Sequence, residues 1–301
     1  MMTESKRGAG SWESVGAEPS TSAAMPRVSG CPFSAMSSAV KNLGGTTDRP
    51  AASGARETAS RLATMAYGLI AYLMFFGTIS YAILWVGNWL VPKTIDSGAP
   101  ASLGEALLVN SLLLSLFVVQ HTIMARPAFK VWWTRFVPRA IERSTFVIAA
   151  SVCLILTFAL WRPLPAVVWS VSNPVIWWGL TALSLVGWAL VFGSSFMVSH
   201  WDLFGLRQTW FRFRGERYRP VGFRLVGLYK LVRHPLMVGF LIAFWSTPVM
   251  TQGHLFFAVM TTGYIFFGTW IEERDLIAEH GEDYLAYRRK VRGFVPLPKG
   301  A

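Results

Sequence analysis

Apolar residues gather in four long runs, residues 65–91, 103–124, 145–161 and 175–199. A helix rises about 1.5 Å per residue and a bilayer core is about 30 Å thick, so each run suits one crossing. The pattern then changes. Residues 236–250 and 255–271 are shorter apolar stretches separated by Thr251, Gln252, Gly253 and His254, which predicts a tight helical hairpin whose arms fall slightly short of a full crossing. Backbone in lipid has to satisfy its own hydrogen bonds, which leaves helices as the building element. The expected fold is an all-α polytopic transmembrane bundle of five to six membrane helices, the C-terminal hairpin included.

The polar segments set the orientation. Residues 125–143 carry Arg126, Lys130, Arg135, Arg139 and Arg143, and residues 200–234 carry Arg207, Arg212, Arg214, Arg217, Arg219, Arg224, Lys230 and Arg233. The intervening loops on the other side hold only Lys93 and Arg162. Basic residues favour the cytoplasmic side, so both termini and both basic loops are expected there, in a bacterial inner membrane. Tryptophans 85, 89, 161, 169, 177 and 178 crowd the span ends, as interfacial belts do. Residues 1–60 are rich in Ser, Ala, Gly and Thr without apolar periodicity and read as a disordered cytoplasmic tail. Residues 1–30 offer no apolar core for a signal peptide. Residues 61–301 form the expected membrane domain.

Composition agrees with lipid as the solvent. Of 301 residues 53% are hydrophobic and only 15% charged, against roughly 25% in soluble domains, and mean hydropathy is +0.41. The formal charge of +12 sits between apolar runs and therefore argues for cytoplasmic loops rather than nucleic-acid binding. Two cysteines, Cys31 and Cys153, supply neither a disulfide framework nor a Cys-based metal site.

The chemistry-bearing residues concentrate in the last third. Gly227 and Tyr229 precede Arg233, His234, Pro235 and Gly239; beyond the hairpin come Glu272, Glu273, Leu276, Gly281, Tyr284, Tyr287, Val291 and Pro296. Polar residues that bracket a hairpin at one face converge when the helices pack. Taken singly, each has a plainer reading: Arg233 and His234 anchor a helix start with Pro235 in its first turn, and the glutamates solvate a helix end.

Together the spacing resembles the membrane methyltransferases that include isoprenylcysteine carboxyl methyltransferase and phospholipid N-methyltransferases. The resemblance runs from about residue 223 to 296 and departs at Met237, where those proteins carry tyrosine. It implies an S-adenosylmethionine site within residues 220–298, built from Tyr229, Arg233, His234, Pro235, Leu236, Met237, Gly239, Glu272, Glu273 and Tyr284. Glu272 would be the acidic contact, His234 a hydrogen-bonding partner, and Arg233 the partner of the cofactor carboxylate. A half-buried carboxylate suits a positively charged cofactor and is costly to bury without one. Residues 194–208, 120–126 and 245–254 look like the methanethiol S-methyltransferase family and the broader NnrU-type membrane proteins, which implies methylation of a small volatile thiol to dimethyl sulfide.

A thiol needs deprotonation, because the thiolate is the nucleophile. His200 and Asp202, at the end of a span, are the first candidates for a base and its orienting carboxylate. Residues two apart do not face each other on a helix, so a direct pair requires the helix to end near Ser199. His121, beside Gln120, is the second candidate. His254 falls on the opposite side of the expected topology. Rival readings are a methyltransferase for a lipid amine or isoprenoid carboxylate, and a non-enzymatic haem or quinone protein using His121, His200 and His234.

Overall fold

A computed structural model describes residues 54–99, 101–220 and 225–296. Among them are ten α-helices: α1 (Gly54–Val86), α2 (Leu103–Ala125), α3 (Pro127–Trp133), α4 (Arg139–Leu160), α5 (Pro174–Val198), α6 (His200–Leu203), α7 (Leu206–Arg214), α8 (Pro235–Trp245), α9 (Gln252–His280) and α10 (Glu282–Lys290). Two short strands, β1 (Val167–Ser170) and β2 (Val249–Thr251), pair antiparallel, with Val167 opposite Thr251 and Ser170 opposite Val249.

Five helices, α1, α2, α4, α5 and α9, are long and apolar enough to cross a membrane. Their outward faces carry large apolar side chains, among them Leu73, Leu108, Leu112, Leu156, Val186 and Phe266, the surface that lipid rather than water accepts. Side-chain caps mark several starts. Ser102 accepts from the Glu105 amide at 3.2 Å, Asn173 from Val175 and Ile176, and Thr251 from His254.

Three sequence expectations shift. The first helix begins at Gly54, inside the stretch read as a tail, because residues 54–64 contain no helix breaker after Gly54 and the Glu57–Arg61 pair, one turn apart, supports the added turns; residues 1–53, Cys31 included, lie outside the described residues. The hairpin arms are unequal. The first, α8, stops at Trp245, just before Ser246, Thr247 and Pro248, and spans only about 16 Å at 1.5 Å per residue. The second, α9, starts at Gln252 and runs 29 residues, long enough to cross. The tip between them is a strand rather than a bare turn, and it pairs with β1 from the loop between α4 and α5.

Packing is closest between α5 and α8. A Cβ on Gly187 would lie 2.5 Å from the Ala243 amide nitrogen, and one on Gly239 2.7 Å from the Gly187 carbonyl. Glycine at both positions lets the two backbones meet. The main core gathers Trp85, Trp161, Phe158, Trp188, Phe244 and Phe257. The fully buried Asn110 is satisfied twice by Arg162, donating to its carbonyl at 2.8 Å and accepting from its amide at 2.9 Å, as a polar group inside a membrane bundle requires.

Candidate active site

Pro235 opens α8, where its missing N–H is no loss and its fixed φ suits the first turn. That places His234 at the cap, pointing at the far end of α9. His234 Nε2 lies 3.0 Å from Glu273 Oε1, and His234 Nδ1 lies 3.8 Å from Glu272 Oε2. Arg233 donates to the same Glu273 oxygen through Nε at 2.7 Å and Nη2 at 2.6 Å, and Arg288 reaches the other oxygen at 3.3 Å. Arg233 Nη1 also donates to the Val291 carbonyl. The backbone of residues 292 and 293 then accepts from the amides of Arg233 and His234 at 2.9 and 3.1 Å. Tyr284, Tyr287 and Leu276 pack as a buried cluster behind this corner, and the Tyr287 hydroxyl donates to the Tyr229 carbonyl at 2.7 Å. Burial pushes the Tyr284 and Tyr287 hydroxyls up, so both stay neutral donors.

The two neighbouring glutamates therefore have different situations. Glu273 is held by Arg233, His234 and Arg288. Glu272, half-buried, has His234 at 3.8 Å as its nearest ion-pair partner, beyond hydrogen-bond reach. Its carboxylate is the one that can take a cationic group from outside the chain. Arg233, expected to meet the cofactor carboxylate, is instead engaged by Glu273 and the chain carbonyls. Gly239 is buried in the α5–α8 contact, so its role is packing. Pro235 is buried, and Leu236 and Met237 occupy the first turn of α8 half-buried.

His200 and Asp202 are not a pair. The helix does break where the pairing required, with α5 capped at Ser199 and α6 beginning at His200. Yet the Ser195 hydroxyl donates to the Phe192 carbonyl at 2.7 Å, so it accepts from His200 Nδ1 at 2.8 Å. His200 Nε2 is then the bare nitrogen, and the Tyr72 hydroxyl sits on it at 3.0 Å. Phe196 stacks on the ring at 4.1 Å. The base position of His200 is capped from inside the fold, and burial pushes its pKa down. Asp202 accepts from the Tyr218 hydroxyl at 2.7 Å. Burial raises its pKa, while Tyr218 and the nearby Arg207 and Arg143 oppose that shift.

His121 is placed differently. It lies on α2 between Phe117, Phe146 and Tyr264, with ring centroids at 5.1, 4.9 and 6.4 Å. It is half-buried, and its enclosed Nδ1 has no hydrogen-bond partner. The same turn of α2 leaves Gln120 Oε1 without a hydrogen-bond partner, while Thr122 stands beside the Tyr264 hydroxyl. Arg126 fixes this end of α2 to α9 through Asp275 at 2.7 Å. Tyr264, which sequence reasoning missed, stands on α9 two turns before Glu272 and faces His121. Its spacing of eight residues from Glu272 puts both on one helix face and was the available signal.

The chain matches several curated proteins over most of its length. It is 52% identical over 237 residues, 79% of this chain and 91% of that protein, to methanethiol S-methyltransferase 2 of Bradyrhizobium diazoefficiens. It is 50% identical over 238 residues, 79% and 98% of the two chains, to methanethiol S-methyltransferase of Mycobacterium tuberculosis. Methanethiol S-methyltransferase 1 of Bradyrhizobium diazoefficiens is 51% identical over 230 residues, 76% and 81% of the two chains. No family model and no solved structure matches the chain.

Proposed function

Since this chain belongs to the methanethiol S-methyltransferase family, we propose that it transfers a methyl group from S-adenosylmethionine to methanethiol at the corner between α2, α8 and α9. The observation that carries the reading is the unequal state of the two glutamates. Glu273 is neutralised by Arg233 and Arg288, lies within hydrogen-bond reach of His234, and holds the corner together. Glu272 keeps a half-buried carboxylate without a close partner, which fits a cofactor bearing an ammonium and a sulfonium. Bound there, S-adenosylmethionine supplies an electrophilic methyl to the thiol sulfur and leaves as the neutral thioether, S-adenosylhomocysteine.

The remaining work belongs to the chain. His121 takes the thiol proton on a ring nitrogen, because it has no internal partner competing for it. Phe117, Phe146 and Tyr264 exclude water around that nitrogen. A dry surrounding favours a step in which a thiolate and a sulfonium lose their charges together. His200 serves as a neutral strut between Tyr72 and Ser195. Residues 220–298 hold the donor and residues 61–301 make up the enzyme. We place the basic loops and both termini on the cytoplasmic side of a bacterial inner membrane, where the polar donor is available.

The test is headspace gas chromatography on detergent-purified protein given S-adenosylmethionine and methanethiol. Donor-dependent dimethyl sulfide is expected. Donor binding without dimethyl sulfide would move the acceptor to a lipid amine or isoprenoid carboxylate, and absence of both would overturn the reading.

A further inference from the structure

At the end of the bundle that carries the β1–β2 ribbon, a cavity of about 240 Å³ opens between α1, α5, α8 and α9. His254 on α9 lines it and lies 18 residues, about 27 Å along the helix, from Glu272. The cavity is therefore separate from the methyl-transfer corner. Its volume is an order of magnitude above the ~10–15 Å³ that one water needs on the same measure.

The hydrogen bonds of its walls determine what it accepts. His254 is 1% exposed, and its Nε2 lies 2.9 Å from the Phe244 carbonyl. A carbonyl only accepts, so Nε2 carries the proton and Nδ1 is a bare lone pair. That Nδ1 has no partner and is closed over by its neighbours, so a donor in the cavity reaches it by a small movement of the wall. The hydroxyls of Thr181, Ser184 and Thr247 donate to the carbonyls of Trp177, Ala243 and Val249 at 3.0, 2.9 and 2.8 Å. They therefore offer the cavity acceptor oxygens as well. No lining residue is a carboxylate, and Asp96, which stands behind the wall near His254, is already engaged by Asn88 Nδ2 at 2.7 Å and by the Thr251 hydroxyl. Trp89 and Trp177 supply the apolar walls.

We propose that this cavity binds a small neutral alkyl thiol, its S–H donated to His254 Nδ1 and its alkyl group against the tryptophans. The proposal rests on the reading of the chain as a thiol methyltransferase and gives that substrate a second, non-catalytic station at the far end of the bundle. A neutral volatile thiol partitions into lipid, so it reaches the cavity without passing the donor site.

The experiment is ¹⁵N NMR of the full chain, labelled at histidine, in detergent and titrated with methanethiol. The chain has five histidines. The His254 Nδ1 signal is assigned by its loss in His254→Asn, or by elimination with single substitutions at the other four should that variant fail to fold. A saturable shift of that nitrogen is expected with methanethiol and not with dimethyl sulfide, which has no S–H. In Thr181→Leu, which fills the cavity, the shift should vanish. No shift with methanethiol, or equal shifts with both compounds, overturns the proposal. A His254 shift in a protein that makes no dimethyl sulfide would instead remove the catalytic reading and leave the site standing.

Discussion

Arg233 clasps Glu273 through two guanidinium nitrogens, at 2.6 and 2.7 Å from a single carboxylate oxygen, with both side chains largely enclosed. The pair joins the start of α8 to the end of α9 and, through Arg233 Nη1 and Val291, to the segment after α10. Removing one member leaves a buried charge without its partner. Arg233→Ala is expected to lower stability by roughly 3–5 kcal/mol, read as a loss in denaturant or thermal unfolding of the detergent-solubilised protein. A change within 0.5 kcal/mol, on the order of an exposed substitution, would show that the clasp is not structural.

Neighbouring Glu272 should behave oppositely. Glu272→Gln removes a charge that no close internal partner uses, so stability should hold while donor affinity falls roughly ten- to hundred-fold. Isothermal calorimetry with S-adenosylmethionine, alongside unfolding, separates the two. Glu273→Gln should show the reverse pattern, and identical behaviour of the two variants would undo the division of labour.

The histidines divide in the same way. His121→Ala should reduce kcat by about 10²–10⁴, with the deficit shrinking as pH rises and thiolate forms unaided. His200→Phe should destabilise the protein through the loss of Tyr72 and Ser195 contacts and leave the slope of the pH–rate profile unchanged. A kcat profile flattened by the His200 change and untouched by the His121 change would exchange their roles.

Lys130, 5% exposed and 3.7 Å from Glu142, predicts a pH effect on stability. Burial is the main cause that lowers its pKa from 10.5 to about 8, with Glu142 opposing and Arg143 assisting the shift. Between those values the unfolded chain holds the proton and the folded chain does not, so stability rises as pH increases through the window. Below about 8 the ammonium is present in both states and the penalty is constant. The rise should amount to roughly 3 kcal/mol and disappear in Lys130→Met, measured by unfolding at pH 7.5, 9 and 10.5.

The contact between α5 and α8 is sensitive to a single methyl. Gly187→Ala and Gly239→Ala each place a Cβ within 2.7 Å of the facing backbone, where nothing flexible can yield. Each should destabilise by about 1–3 kcal/mol, measurable in the same unfolding assay, with an unchanged midpoint in both variants contradicting the close packing.

Much of this molecule was readable before its geometry. The long apolar runs and the positions of Arg233, His234, Glu272, Glu273, Tyr229 and Tyr284 follow from local pattern or resemblance, and the fold does bring those six residues to one corner. Which glutamate meets Arg233 was not readable. Adjacent helical residues point about 100° apart, and the rotation of α9 that decides between them is a matter of contacts remote in sequence, such as Arg126 reaching Asp275 across 149 positions. The state of His200 was hidden for a similar reason, since its bare nitrogen is capped by Tyr72, 128 residues earlier. The ribbon escaped because four and three residues carry too little periodicity to separate a strand from a loop.

That ribbon has a mechanical consequence. At its end of the bundle the loops are riveted by main-chain bonds: β1 to β2, Gln252 to Ala166 at 2.8 Å, and Gly253 to Leu164 at 3.0 Å. At the opposite end, many of the ties are charged side chains such as Arg126 with Asp275, which stay partly exposed and can exchange partners with an arriving ion. A bundle fastened this way behaves like a peg with a fixed spring and looser jaws, and on the proposed reading the jaws are the end where a charged donor would be admitted and its spent form let go.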